Sequence, residues 1–129
     1  MRFSLFSAVY FLLPITSCQK STPTPDLNGT YTGTFQRQSG GGGQVSQVSL
    51  TFSGGKWSGN SQIPKHPGLC SGTYDVIGKR ITFTNICYWT ADFDWSLILS
   101  DEYDLNVSGN VVEITKQAPS YKDVYRLSK

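Results

Sequence analysis

The sequence predicts an all-β domain that forms a small antiparallel up-and-down barrel of eight or nine strands. From residue 29 onward no segment keeps a helical period of useful length, and short segments of alternating apolar and polar residues are separated by glycine-containing turns. Aromatic residues make up 13% of the chain, with 13 Gly and 6 Pro, a composition typical of short strands joined by tight turns. Closure into a barrel would hide the edges that so long a meander otherwise exposes.

The predicted strands are short and closely spaced along the domain 29–129. They span 29–37, 45–52, 56–63, 69–76, 80–87, 93–99, 103–108, 111–116 and 121–127. Strands at this spacing are typical of sandwiches and barrels.

Two-residue hairpin loops determine which residues of neighbouring strands face each other. With 78–79 as the loop, Tyr74 lies opposite Phe83, and Cys70 lies opposite Cys87 on the same face. Both are non-hydrogen-bonded pairs, in which side chains approach closest, so we expect a Cys70–Cys87 disulfide.

The remaining hairpins are predicted by the same counting. They give the pairs Phe52–Trp57, Leu50–Gly59, Val107–Val112, Leu105–Ile114, Leu99–Tyr103, Leu97–Leu105 and Trp95–Val107. The last three pairs depend on a turn of odd length at 100–102, which would join strand 93–99 to strand 103–108.

The alternation predicts an apolar interior that is rich in aromatic rings. Its predicted members are Tyr31, Phe35, Val48, Leu50, Phe52, Trp57, Tyr74, Val76, Ile81, Phe83, Trp95, Leu97, Leu99, Tyr103, Leu105, Val107 and Ile114. One interpretation is a pocket for a small apolar ligand that tyrosine hydroxyls orient. The other is that the rings fill the barrel, because eight strands enclose room for packed side chains or for one small ligand.

The N-terminus has the pattern of a signal peptide. A single cation precedes an apolar run at 3–15, which is too short to span a bilayer. The run ends in ITSC at 15–18, which resembles the lipobox of bacterial lipoproteins and implies that residues 1–17 are removed and Cys18 is diacylated. An ordinary signal peptide cut nearby, or a buried N-terminal strand, is the alternative. Residues 18–28, rich in Ser, Thr and Pro, would form a flexible tether.

Charge gives no reason to expect a nucleic acid partner. The chain has 11 Lys+Arg and 9 Asp+Glu, and loss of Arg2 leaves ten cations (11 − 1) against nine anions. The predicted partners are the membrane, through lipid on Cys18, and either a small apolar ligand or an envelope protein; we expect a monomer. Gln19 is not the aspartate that retains lipoproteins at the inner membrane, so the expected location is the outer membrane, facing the periplasm.

Short motifs across the mature chain resemble a known family. They are GTYTGTF at 29–35, WSG at 57–59, the segment from Phe93-Asp94-Trp95 to Tyr103, and VYRL at 124–127. These motifs look like the lipocalin-like lipoproteins of Bacteroidota, and the resemblance implies a small barrel of the lipocalin and avidin type. Tyr31 stands where lipocalins proper carry a tryptophan, and the chain is shorter than a lipocalin, with no predicted helix to pack on the barrel.

Aromatic residues are concentrated at 88–95, in a predicted loop region. They could form a lip that grips a ligand at one mouth of the barrel, or the loop could fold back and plug that mouth. Together with interior rings, the predicted ligand-binding residues are Tyr31, Trp57, Tyr74, Tyr88, Trp89, Phe93, Trp95 and Tyr103.

No residues assemble the chemistry of an enzyme, a metal site or a cofactor site. Asp92 and Asp101 would flank opposite ends of one extended strand, about 20 Å apart, and could not share an ion, so the acidic residues at 92–104 are expected to lie in solvated loops. His66 is the only histidine, in a turn-rich loop without a nucleophile beside it, and the glycines at 40–43 lack the lysine of a phosphate loop. We therefore predict a binding protein: the barrel holds a small apolar or amphipathic ligand, or a solid barrel acts through its loops as a protein-binding or inhibitor module. Contact with glycan through Trp89 is a third hypothesis.

Overall fold

Eight strands and one 3₁₀ turn make up residues 26–129, the part of the chain that the computed structural model describes. The predicted signal peptide, the predicted acylation site at Cys18 and most of the predicted tether lie outside the described residues. The elements in chain order are β1 (Gly29–Gln38), β2 (Val45–Ser53), β3 (Lys56–Ser61), β4 (Ser71–Ile77), β5 (Arg80–Asn85), the 3₁₀ turn (Trp95–Leu97), β6 (Asp101–Ser108), β7 (Val111–Gln117) and β8 (Lys122–Ser128).

Each strand pairs antiparallel with its neighbours in sequence, and β1 also pairs with β8. The closing ladder runs from Thr32 opposite Ser128 to Gln38 opposite Lys122. The sheet is therefore a closed up-and-down barrel, which confirms the predicted fold class.

The hairpins with two-residue loops have the predicted registers. Tyr74 faces Phe83, and a disulfide joins Cys70 to Cys87 just beyond the two strands. The 54–55 and 109–110 loops also give the expected opposed pairs on β2–β3 and β6–β7.

The predicted strand 93–99 is wrong. The Asp94 side chain accepts a hydrogen bond from the backbone N–H of Ser96 and starts the 3₁₀ turn at Trp95–Leu97, which ends the alternation. β6 instead pairs directly with β5, with Ile81 opposite Tyr103. The three pairs that depended on a turn at 100–102, including Leu99 opposite Tyr103, are therefore also wrong.

The two ends of the barrel differ in their connections. The tight turns 54–55, 78–79 and 109–110 lie at one end, which we call the turn end, together with the first and last described residues. The longer connections lie at the opposite end, which we call the loop end. They span 39–44, 62–70, 86–100 and 118–121.

Aromatic rings run through the interior in a continuous series of contacts. Trp57 packs on Phe83, Phe83 on Tyr103, and Tyr103 on Tyr125, with ring centroids 5.6, 5.7 and 6.2 Å apart. Tyr125 then packs on Phe35 at 4.8 Å, and all five residues are at most 2% exposed. These separations fall in the favourable range for aromatic pairs, so the rings pack continuously across the interior.

Most of the predicted interior is confirmed, with two corrections. Trp95 is 56% exposed because the 3₁₀ turn points it outward, and Val107 is 38% exposed because it lies at the rim beside the 109–110 turn. Four core residues were not among those predicted: Leu27, Val112, Tyr125 and Leu127.

Gly72 provides a test of how tightly the barrel wall is packed. The Trp57 indole N–H passes over Gly72 of β4 and donates a 3.3 Å hydrogen bond to the Thr84 carbonyl of β5. An added Cβ would overlap the Thr84 carbonyl oxygen and would lie 2.8 Å from the Thr84 carbonyl carbon and 3.1 Å from Trp57 Nε1. Because the overlap is with backbone, we expect Gly72→Ala to lower the free energy of unfolding in urea by about 3 kcal/mol or more, the upper end of the range for overpacking.

Gly42→Ala is the matched control, because a Cβ there meets nothing within 4 Å. Its effect should stay below about 0.5 kcal/mol. Equal effects of the two variants would contradict the packing around Gly72.

Candidate functional site

The 86–100 loop crosses the loop end of the barrel and is joined there to the 62–70 loop. The Cys70–Cys87 disulfide links the bases of the two loops. Further along, the Gly68 N–H donates to the Leu97 carbonyl and the Leu99 N–H donates to the Gly68 carbonyl, at 2.8 and 3.0 Å. A covalent bond and two backbone hydrogen bonds therefore hold the loops together.

Arg37 fastens the 86–100 loop to the barrel wall. Its Nε and Nη2 donate to the two carboxylate oxygens of Asp123 at 2.7 and 2.8 Å. Its Nη1 donates to Asp94 and to the Ser96 hydroxyl at 3.2 and 2.8 Å, and Nη2 also reaches the Ser96 carbonyl at 3.1 Å. The guanidinium lies 3.8 Å from the ring centroid of Tyr121. One side chain thus joins β1, β8 and the crossing loop.

The Arg37–Asp123 pair is largely removed from water, with side-chain exposures of 14% and 3%. The hydrogen bond to Asp123 is the largest cause of a raised pKa for Arg37, and the guanidinium is charged at neutral pH. A bidentate, charge-assisted pair in this setting fixes the geometry of both groups.

Lys65 makes a second attachment between the loops. Its Nζ donates to Asp92 at 3.1 Å and to the Thr90 hydroxyl at 3.3 Å, and lies 5.1 Å from the ring centroid of Phe93. Two of the acidic residues expected to be only solvated, Asp92 and Asp94, are thus each bound to a cation from another segment. Within residues 26–129 no group of three or more possible metal-ligating side chains is found.

Four of the eight predicted ligand-binding residues are part of the packed interior. Tyr31, Trp57 and Tyr103 are at most 4% exposed, and Tyr74 packs against the same core. Burial raises the pKa of Tyr103 and of Tyr125, so both phenols stay neutral at neutral pH. Tyr31 and Tyr74 pack on Phe52, and Trp57 and Tyr103 pack on Phe83, so these side chains belong to the core rather than to one site with the loop aromatics.

The other four predicted residues lie on the 86–100 loop. Tyr88 is fully exposed and Trp95 is 56% exposed, whereas Trp89 and Phe93 are half-buried with ring centroids 5.5 Å apart. The Trp95 indole N–H donates to the Thr90 carbonyl at 2.8 Å, which fixes the ring on the outside of the loop. The loop therefore presents two exposed rings on a supported backbone.

The same loop also covers the interior. Leu99 is fully buried and Leu97 packs against the core, while Ile98 is 9% exposed. The two interpretations of the aromatic segment apply to different residues: 97–99 plug the mouth, and Tyr88 and Trp95 face outward.

Arg37 and Asp123 are site residues that the sequence reasoning missed. The side chains of Tyr31 and Phe35 on β1 point inward, and the same alternation continues to Arg37. On β8, Tyr125 and Leu127 point inward, and so does Asp123. The sequence did contain a signal for the Arg37–Asp123 pair, since it places opposite charges at inward positions of the first and last strands. A buried charge needs a partner.

Comparison with models of known protein families, with curated proteins and with solved structures finds no match to this chain. Among residues 26–129, no helix has the length and apolar character needed to cross a membrane. The fold and the loop end thus provide the evidence on function.

Removal of the Arg37 side chain should destabilise the protein strongly. Arg37→Ala leaves the Asp123 carboxylate buried without its partner, and we expect a loss of about 3–5 kcal/mol in the free energy of unfolding. Arg126→Ala is the control, since Arg126 is 67% exposed and lies 3.6 Å from Glu113; its cost should not exceed about 1 kcal/mol. Comparable losses in urea denaturation would contradict a special role for Arg37.

The attachment of the 86–100 loop should weaken in acid. The Ser96 hydroxyl, then the Ser96 N–H and Arg37, lower the pKa of Asp94, and the Thr90 hydroxyl followed by Lys65 lowers that of Asp92. The pKa values of Asp92 and Asp94 are therefore lower in the folded protein than in the unfolded chain. The stabilisation that the two carboxylates provide is complete above pH 3.8, the ordinary aspartate pKa, and is lost as the pH falls through their lower folded pKa values.

The indole N–H resonance of Trp95 reports this change, because that group hydrogen-bonds within the loop. We expect it to shift and broaden below pH 3.8 while resonances of the β1–β8 ladder still report a folded barrel. Asp94→Asn should reduce the pH-dependent change in the Trp95 indole N–H resonance. Simultaneous loss of all resonances would show global unfolding instead.

Proposed function

We propose that this protein is an exported lipoprotein, held at the outer membrane by acylated Cys18, whose lipocalin-like barrel is a rigid scaffold for binding an envelope protein. The observation that carries the proposal is the pair of exposed rings, Tyr88 and Trp95, on a loop attached by a disulfide and by Arg37 and Lys65. The signal-peptide pattern and the ITSC lipobox support the anchor.

Exposed aromatic side chains on a supported loop suit protein recognition. Tyrosine and tryptophan are enriched among the residues that dominate binding energy at protein interfaces. Binding costs less entropy when the contact residues are already ordered, and the attachments of the 86–100 loop supply that order. The loop end therefore has both the chemistry and the rigidity of a docking surface.

The filled interior favours this function over ligand storage. Small-molecule sites are cavities of several hundred Å³. The series of ring contacts from Trp57 to Phe35 occupies the core of the barrel. Two depressions of about 330 and 300 Å³ lie on the outer wall, one beside Lys79 and Glu113 and the other beside Lys56 and Ile86.

Binding of a small apolar or amphipathic ligand is the second candidate, and two polar atoms at the loop end favour it. His66 Nε2 and Trp89 Nε1 are buried without a hydrogen-bond partner among the described residues. A ligand with acceptor atoms could satisfy them at the mouth of the barrel. Native mass spectrometry of the purified protein would reveal such a ligand as added mass.

A photo-crosslinking amino acid at position 88 tests the protein-binding proposal. We expect one discrete envelope protein to be captured by the full chain in cells, and none from position 82 on the exposed outer wall of β5. Tyr88→Ala or Trp95→Ala should then weaken binding of that captured protein by about 30-fold, the effect of a residue central to an interface.

Thr82→Ala is the matched control and should leave the affinity unchanged. Because Tyr88 and Thr82 are exposed, neither of their variants should change stability by more than about 0.5 kcal/mol. Trp95→Ala also loses the hydrogen bond to the Thr90 carbonyl and should cost about 1 kcal/mol. A retained small molecule, together with unchanged affinity in Tyr88→Ala and Trp95→Ala, would overturn the proposal in favour of ligand binding.

A further inference from the structure

The turn end of the barrel exposes apolar side chains on two neighbouring hairpins. Ile77, at the end of β4, is 74% exposed, and Val107 and Val111 beside the 109–110 turn are 38% and 45% exposed. β5 and β6 bring these hairpins together, and the Leu105 N–H donates to the Lys79 carbonyl at 2.8 Å. The apolar tips therefore belong to one surface.

Three lysines lie at the same end of the barrel as these apolar tips. Lys79 lies in the turn next to Ile77, Lys56 begins β3 at the 54–55 turn, and Lys129 ends the chain at the same end of the barrel; all three are exposed. Arg80 is exposed there too but is paired with Glu102. Acidic residues lie close by as well: exposed Asp75 precedes Ile77 by two positions, and Asp104 and Glu113 line the same surface depression as Lys79. The surface thus combines apolar side chains with exposed lysines and with carboxylates that partly balance their charge.

This surface is continuous with the place where the described chain begins. The Lys129 N–H donates to the Asn110 carbonyl at 2.9 Å, and Lys129 Nζ donates to the Asn28 carbonyl at 2.7 Å. Leu27, 1% exposed, is packed into the core beside it. The N-terminal residues are therefore attached to the rim that carries the apolar tips and the lysines.

From this arrangement we infer that the turn end docks on the anionic surface of the bilayer that holds the lipid anchor, with Ile77, Val107 and Val111 inserted at the headgroup level. The inference rests on the proposed acylation of Cys18. Seven residues lie between Cys18 and Asp26, and the eight steps along the chain from one to the other span at most about 29 Å when fully extended. The anchor thus keeps the turn end within reach of the membrane.

The side chains at the turn end suit a lipid surface rather than a protein. Amphipathic surfaces that lie on membranes combine apolar groups at the acyl boundary with Lys and Arg that attract anionic lipids. Each lysine near an anionic bilayer contributes about fivefold to the binding equilibrium, and salt screens this contribution. Docking at the turn end would also direct Tyr88 and Trp95 away from the membrane.

Tryptophan reporters at the two ends of the barrel test the orientation. The full chain carrying Ile77→Trp, or the matched loop-end variant Ile86→Trp at a 67% exposed position, is produced in bacteria that acylate lipoproteins. Each purified protein is reconstituted into vesicles of phosphatidylethanolamine and phosphatidylglycerol, with ordinary or brominated acyl chains. We expect the brominated lipid to quench the added fluorescence of Ile77→Trp and to leave that of Ile86→Trp unchanged.

Charge variants test the electrostatic contribution to docking of the turn end on the membrane. Adding Lys79→Glu to Ile77→Trp should lower the ratio of docked to undocked protein by about fivefold or more, seen as lost quenching, and raised salt should act in the same direction. Lys122→Glu, at the exposed start of β8 at the loop end, is the matched control and should have no effect.

Vesicle flotation separates failure of the anchor from failure of the docking. Wild-type protein that floats no better than Cys18→Ser overturns the acylation proposal, and this inference with it. Wild-type protein that floats while Cys18→Ser does not, combined with equal quenching at 77 and 86 or stronger quenching at 86, overturns the docking alone.

Discussion

The Arg37–Asp123 ion pair joins the first and last strands of the barrel at the point where the 86–100 loop crosses the loop end. Both side chains occupy inward positions, so water cannot solvate them fully, and a buried charge is tolerated only when it is paired and hydrogen-bonded. Asp123 accepts hydrogen bonds from two of the guanidinium N–H groups of Arg37. Asp94 and Ser96 of the loop accept further hydrogen bonds from the same guanidinium. Closure of the sheet and the position of the loop thus depend on the same side chain.

A filled interior changes what a small barrel can do. Tyr103, with a strongly raised pKa, and the rings packed around it are committed to the core, so they stabilise the wall instead of meeting a ligand. The residues left for recognition lie on the connections, and among these the 86–100 loop has the attachments that keep exposed rings ordered. In this protein, binding specificity would therefore come from a loop that the barrel supports, consistent with the general separation of scaffold and site.

The sequence was informative wherever a short turn related two strands. A two-residue loop leaves one register, and this is why Tyr74 opposite Phe83 and the Cys70–Cys87 disulfide could be predicted by counting from 78–79. The segment 93–99 misled because residues 95, 97 and 99 are apolar and alternate, although Asp94 is a helix-capping residue directly before them. Contacts such as Arg37 with Ser96 join residues far apart in the chain, and no local pattern reports them.

The number of strands that a closed barrel can contain excludes one of the nine predicted strands, which the alternation of apolar residues could not do. In an up-and-down barrel the first and last strands are antiparallel when the number of strands is even, whereas with nine strands they would run in the same direction. A closed, wholly antiparallel sheet therefore excludes the ninth strand, and 93–99 is the segment with a capping residue at its start. An even number also returns the last strand to the end where the first began, so Asn28 and Lys129 meet at the turn end. The proposed anchor, which would precede β1, would then enter the barrel at the end opposite the long loops, and attachment would be separated from recognition along the axis of the barrel.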